Sequence, residues 1–178
     1  YLDDFVKDRH RRADKAFVGR PAMSDEELKS MRAQLAKVGR TMEVWTTLYA
    51  YDLDPQHPDY TPCEPPLVDS LKHFDVIVLW TWKSDDLKDL EKNLARLEAA
   101  KPKDTKIALG LYLWDFQNKK PVSAELMKHQ CDLGLKWLKE GRISDMIFLA
   151  NTMLDVGMPS ADFSRQWIKE HGGEKLGR

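Results

Sequence analysis

Four apolar runs recur along the chain at intervals of roughly 30–40 residues, the length of one strand-and-crossover unit in a parallel sheet. They occupy residues 43–51, 76–82, 107–114 and 146–150. Each is apolar almost without interruption, as a strand must be when both faces of its sheet are covered. Parallel sheets are covered that way because right-handed crossovers lay helices on them. Residues 1–5 read as the end of one earlier strand.

The intervening segments carry helix signals. Ser24 followed by Glu27 is a capping box, and Leu28, Met31, Leu35 and Val38 then share one face. Ser84 can cap a second helix, whose Leu87, Leu90, Leu94 and Leu97 repeat that spacing before Pro102 ends it. Ser123 precedes a third, with Leu126, Gln130, Leu133, Trp137 and Leu138 on one stripe and Gly141 at its close. Ser160 opens a fourth, with Phe163, Trp167 and Ile168 facing inward and Gly172-Gly173 after it. A short helix is expected over residues 67–73.

The order is therefore strand end, helix, then four strand–helix pairs: an α/β chain with parallel βα repeats. No GxGxxG or GxxxxGK[ST] stands at a strand–helix junction, so the phosphate loop of a doubly wound sheet is missing. The junctions carry aromatics and carboxylates, which suits a barrel mouth. A complete barrel takes ~250 residues, and this chain has 178. The expectation is a partial (β/α)8 TIM barrel, about strands four to eight, as a single domain. The opening Tyr1-Leu2-Asp3-Asp4 has no Met, which reads as a processed or trimmed chain.

In a barrel the working residues stand at the C-terminal ends of the strands. Here those positions hold Asp3, Asp4 and Phe5, then Tyr49, Tyr51 and Asp52, then Trp80 and Trp82, then Trp114, Asp115 and Phe116, and finally Asn151. Alternation along the strand sorts residues 107–114 into two faces. Ile107, Leu109, Leu111 and Leu113 should meet the helices. Ala108, Gly110, Tyr112 and Trp114 should point inward, with Gly110 leaving room for a neighbour. Trp80 and Trp82 share a face by the same reasoning. Rings and carboxylates at a barrel mouth suit a saccharide: the C–H face of a pyranose stacks on an aromatic ring, and its hydroxyls need fixed acceptors. Glycoside hydrolysis also needs two carboxyl groups, one protonated and one ionised. Asp3 or Asp4 with Asp115 is the candidate pair. Tyr49, Tyr51, Asp52, Trp80, Trp82, Trp114 and Asn151 are candidate saccharide contacts.

This set of residues resembles the glycoside-hydrolase-like TIM barrels of bacterial carbohydrate-degrading systems. The resemblance is carried by Leu2-Asp3-Asp4-Phe5, Leu79-Trp80-Thr81-Trp82, Leu109-Gly110-Leu111-Tyr112-Leu113-Trp114-Asp115-Phe116 and Trp167-Ile168-Lys169-Glu170-His171-Gly172. It covers most of the chain as architecture and implies a sugar-binding mouth. No Glu stands at a strand end, whereas such enzymes commonly use one there.

Each signal has a plainer alternative. An Asp at a strand end often caps a loop or the next helix, and strand-end rings often serve packing. Trp45, Trp137 and Trp167 are expected in the core. The basic stretch Lys7, Arg9, His10, Arg11, Arg12 and Lys15 is interrupted by Asp8 and Asp14 and reads as a solvated loop or helix. The proline-rich stretch 54–66 is a stiff loop that either walls a cleft or is a structural insertion. The five histidines are scattered, and neither Cys63 nor Cys131 has a partner at metal-ligand spacing. No metal site or cofactor is expected. Cys131 reads as a small core hydrophobe.

A net charge of −1 gives no electrostatic case for nucleic acid or an anionic membrane. The expected ligand is a saccharide. A non-catalytic saccharide- or protein-binding barrel is the alternative, as is a partial barrel completed by another chain or by a missing N-terminal half. Compartment is left open; the chain reads as soluble, and as extracytoplasmic if a leader has been removed.

Overall fold

The computed structural model of the chain describes residues 6–11, 17–149 and 157–176. Tyr1–Phe5, with Asp3 and Asp4, lie outside the described residues, as does Asn151. The described residues fall within two compact units, Tyr1–Val78 with Ala95–Lys106, and Leu79–Leu94 with Ile107–Arg178.

The first unit opens with an antiparallel ribbon, β1 (Val6–Arg11) with β2 (Phe17–Pro21), Arg9 lying opposite Gly19. This corrects the reading of the basic stretch as loop or helix. Lys7, Arg9, His10 and Arg11 sit on a two-stranded ribbon, which tolerates polar residues that a covered sheet would not; Arg12 and Lys15 lie outside the described residues. Helix α1 (Asp25–Ala36) begins at the expected capping box. Glu27 N–H donates to Ser24 Oγ at 3.2 Å and Ser24 N–H to Glu27 Oε2 at 2.8 Å. Leu28 is fully buried, but Val38 is 53% exposed. Contrary to expectation, the helix stops at Ala36, so Val38 falls beyond its last turn, and Gly39 at φ +75° then turns the chain away.

Strand β3 (Trp45–Tyr49) runs into a 3-10 turn at Ala50–Leu53. It is shorter than its apolar run because Asp52 accepts the Tyr49 N–H at 3.3 Å and bends the backbone. The proline-rich loop then lies against β2: Gly19 N–H donates to Pro62 O at 2.8 Å, and Glu64 N–H to Gly19 O at 3.1 Å. Helix α2 (Leu67–Ser70) leads through a 3-10 turn, Leu71–His73, to β4 (Val76–Trp80). At the entry to β4, Asp75 accepts two bonds from Arg32, at 2.5 and 3.1 Å, and one from Val44 N–H at 2.7 Å.

Helix α3 (Leu90–Ala100) follows a six-residue 3-10 stretch, Ser84–Asp89. Leu87, Leu90, Leu94 and Leu97 are all buried, as their spacing requires. Ser84 is not the cap, however. Lys83 holds that position, and the Ser84 hydroxyl is drawn to Asp115 instead.

In the second unit β5 (Lys106–Tyr112) is followed by a small hairpin, β6 (Trp114–Asp115) with β7 (Lys120–Pro121). The two hairpins break the strict βα alternation expected. Helix α4 (Ala124–Glu140) starts at Ser123, whose Oγ accepts Leu126 N–H at 3.2 Å, and ends at Gly141 in the left-handed region. Its buried residues are Met127, Gln130, Cys131, Gly134 and Trp137. Trp137 donates from Nε1 to Glu91 at 2.8 Å, and Glu91 also pairs with Arg142.

Strand β8 (Asp145–Leu149) lies parallel to β5, and α5 (Pro159–His171) closes the described chain. Ser160 is buried inside α5 rather than capping it, and its hydroxyl donates to Leu113 O at 2.7 Å. Trp167 is buried, but Ile168 is 44% exposed, because Ser160, Ala161, Ser164 and Trp167 form the buried stripe. Trp45 is only half-buried, its Nε1 bonded to Glu43.

The fold is α/β, with four parallel strands in the order β3-β4-β5-β8. It is that of a partial parallel βα barrel, and the strands do not close among the described residues. No helix among those residues is long and apolar enough to cross a membrane.

Candidate functional site

The second unit brings together the aromatic residues at the ends of β4 and β5. Alternation holds at Leu109 and Gly110 of β5, whereas Trp114, expected on the inward face with Gly110, lies beyond the strand in the β6 hairpin. A Cβ on Gly134 of α4 would fall 3.1 Å from Leu109, so Leu109 meets the helix. A Cβ on Gly110 would fall 2.2 Å from the Trp80 ring, so the opposite face of β5 receives Trp80. The Trp80 ring lies flush on the bare Gly110 backbone and continues onto Tyr112, centroids 4.6 Å apart. Tyr112 meets Phe116 edge-on at 5.2 Å, and Phe116 stacks against Trp82 at 6.5 Å. Four rings thus run in a row from Trp80, which is buried, to Trp82, which is 39% exposed.

Polar groups flank the outer end of this row. Asp115 is only 2% exposed. Its Oδ1 accepts the N–H groups of Gln117 and Asn118, both at 3.0 Å, and its Oδ2 accepts Asn118 Nδ2 at 2.8 Å. Ser84 hydrogen-bonds to the same carboxylate. Burial pushes the Asp115 carboxyl up, but the bonds from Ser84, Asn118 and the two backbone N–H groups outweigh it and hold the group below the usual carboxylate range. Gln117 Nε2 reaches Asp85 Oδ2 at 3.4 Å. Trp114 is half-buried and lies opposite Pro121 in the hairpin.

Tyr49, Tyr51 and Asp52 belong to the first unit. The Tyr49 and Tyr51 rings stack in parallel at 5.2 Å, and His57 of the proline-rich loop extends the stack at 5.8 Å from Tyr51. Asp52 ties the turn beneath them and lines a pocket of about 180 Å³ with Tyr60, Cys63 and Pro66. Burial, then the charge of Asp52, pushes the Cys63 thiol up to about 11. Asp54 is engaged by Arg96 at 2.7 Å. No cluster of three or more metal-ligating side chains occurs among the described residues.

Sequence reasoning singled out Trp80 and Trp82 but not the two rings that join them. Tyr112 was legible in part, since it shares a face with Gly110. Phe116 stood at a strand-end position in the sequence but was not named as a contact, because its place beside Trp82 depends on the turn that Asp115 organises.

No family model matches the chain, and no curated protein matches it. Among solved structures, the glycoside hydrolase domain of PgaB (BpsB) from Bordetella bronchiseptica is similar, with 21% identity and a TM-score of 0.49. The match covers 71% of this chain and 35% of that one, so the chain spans about a third of the solved structure's length. At that level no residue role passes from one to the other.

Proposed function

We propose that the chain is a carbohydrate-active barrel portion whose second unit holds a saccharide against the aromatic row, with Trp82 as the outer platform. The observation that carries this is the continuous file of Trp80, Tyr112, Phe116 and Trp82, which ends in an exposed indole beside hydrogen-bonding side chains. The buried Trp80 ring and the half-buried Tyr112 and Phe116 fix the orientation of Trp82 at little entropic cost on binding. The exposed indole offers an apolar face to the C–H side of a sugar ring, and Gln117 and Asp85 offer a donor and acceptors for hydroxyls.

Glycoside hydrolysis is the finer reading. It requires a protonated carboxyl group to serve the leaving oxygen. A carboxylate held ionised, as Asp115 is, cannot be that acid, so the acid in this reading is Asp3 or Asp4. Because both oxygens of Asp115 are taken by its own turn, the geometry favours holding the turn over chemistry at that residue.

The test is calorimetric titration of the chain with cellohexaose, xylohexaose, mannohexaose and chitohexaose, each assayed in parallel for cleavage. Binding of at least one, weakened tenfold or more by Trp82→Ala with thermal stability unchanged, is the expected result. A tenfold loss corresponds to ~1.4 kcal/mol. Equal affinity in the wild type and Trp82→Ala, or no binding to any of the four, overturns the proposal.

A further inference from the structure

Two loops of the second unit carry the outer rings of the aromatic row. Trp82 lies just after β4 and Phe116 just after β6, and their centroids are 6.5 Å apart. Neither ring is held by a strand, because β4 ends at Trp80 and β6 at Asp115. Phe116 rests on Tyr112 of β5, whereas the placing of Trp82 beside it depends on what joins the loops. One tie is the bond between Ser84 and Asp115, and the other is Gln117 to Asp85. Both run through the turn that Asp115 organises, since Gln117 is placed by its own N–H donating to Asp115 Oδ1 at 3.0 Å.

Asp115 is nearly fully buried, yet it stays ionised because its bonds compensate for the loss of water. A buried carboxylate with that many donors is a strong local organiser, and replacing it takes the acceptor from the N–H groups of Gln117 and Asn118. A residue used only to end a strand would not need to reach across to another loop.

We propose that Asp115 is a positioning residue of the saccharide surface: it clasps the loop after β4 to the loop after β6 and so sets the gap between Trp82 and Phe116. The inference rests on the saccharide reading above and assigns the fixing of that site to one side chain. Asp115 acts through the rings, without touching the ligand. Its loss therefore weakens binding by letting Trp82 and Phe116 drift. The conservative Asp115→Asn variant keeps the bonds to one oxygen and restores part of the affinity.

The experiment uses the full chain with the same four hexasaccharides. Affinity is measured for the wild type, Asp115→Ala, Asp115→Asn and Ser84→Ala, and amide hydrogen exchange is followed in residues 82–85 and 115–118. The expected result is faster exchange in both segments for Asp115→Ala, affinity reduced about tenfold, and intermediate values for Asp115→Asn. Ser84→Ala removes one bond and leaves the carboxylate, so it reads the clasp even if Asp115→Ala does not fold; faster exchange in residues 82–85 is expected for it. Unchanged exchange in residues 82–85 for the variants that fold overturns the clasp, whatever the saccharide result. Faster exchange with no saccharide bound by the wild type overturns the saccharide reading and, with it, the positioning role. A variant that binds as tightly as the wild type but loses cleavage also overturns the proposal, because that is the behaviour of a catalytic carboxylate.

Discussion

Replacing Gly110 by Ala tests the construction of the aromatic row at its root. A Cβ there would lie 2.2 Å from Cδ2 and Cε3 of Trp80 and 2.5 Å from Cε2. Carbon atoms in contact sit ~3.5–4.0 Å apart, so the ring would have to retreat by more than ~1 Å. Trp80 is 4% exposed, and close-packed surroundings give it little room. Overpacking of this kind costs ~1–3 kcal/mol. The smaller conformational entropy of an unfolded Ala offsets ~0.4–1 kcal/mol, leaving a net loss of ~1–2 kcal/mol. For a chain of this size the loss lowers Tm by ~2–8 °C. The displacement also breaks the 4.6 Å contact between Trp80 and Tyr112, so the near-ultraviolet circular dichroism should change while the far-ultraviolet spectrum does not. A Gly110→Ala chain with unaltered Tm and an unaltered near-ultraviolet spectrum would refute the reasoning, because the ring would then not lie on the backbone of β5.

Asp75 supplies a pH test. Burial pushes its carboxyl up, but Arg32 and the Val44 N–H hold it below the usual range, so its contribution is present above the ordinary Asp value of ~3.9 and is lost as pH falls through the lower native value. Asp75→Asn should cost ~1–2 kcal/mol at pH 7 and flatten that part of the acid-unfolding profile, and identical profiles would exclude the pair as a contributor. Thiol labelling is a further check. Burial pushes Cys63 to about 11 and Cys131 to about 12, so at pH 8 only ~0.1% of Cys63 is thiolate and less of Cys131. Titration with an aromatic disulfide reagent should show slow reaction at Cys63 and none at Cys131 until urea unfolds the chain, and rapid native labelling of both would contradict their placement. Ser160→Ala removes a buried hydroxyl bonded to Leu113 O; a loss of ~1 kcal/mol is expected from urea denaturation, and a neutral change would show that α5 does not depend on that tie.

The βα framework was legible because its signal is local. A strand covered on both faces must be apolar throughout, and β4 is buried at all five positions. Helix caps and leucine stripes are local too, which is why Ser24, Ser123 and the Leu87–Leu97 spacing read correctly. The β1–β2 ribbon was missed because a two-stranded ribbon need not be apolar, and charged residues at Lys7, Arg9 and Arg11 look like a loop. Ser84 was misassigned as a cap because its hydroxyl prefers a carboxylate 31 residues away. The candidate site divides in the same way. Trp80 and Trp82 announce themselves at a strand end. Their joining through Tyr112 and Phe116 depends on a glycine in a different strand, and no window along the sequence contains both.

The ladder between Gly19 and the proline-rich loop also bears on how the first unit comes apart. A two-stranded ribbon alone is marginal in water, and Pro62 and Glu64, which flank Gly19, give β1–β2 a further backbone partner. The loop behaves as a third strand in all but name, so ribbon and loop should melt together as one cooperative block. Ordinary surface loops tolerate lengthening at ~0.6 kcal/mol per doubling. This one should not, because an insertion near Pro62 shifts the register in which the loop pairs with Gly19 of the ribbon. A protease that nicks the stretch should loosen the N-terminal ribbon along with it.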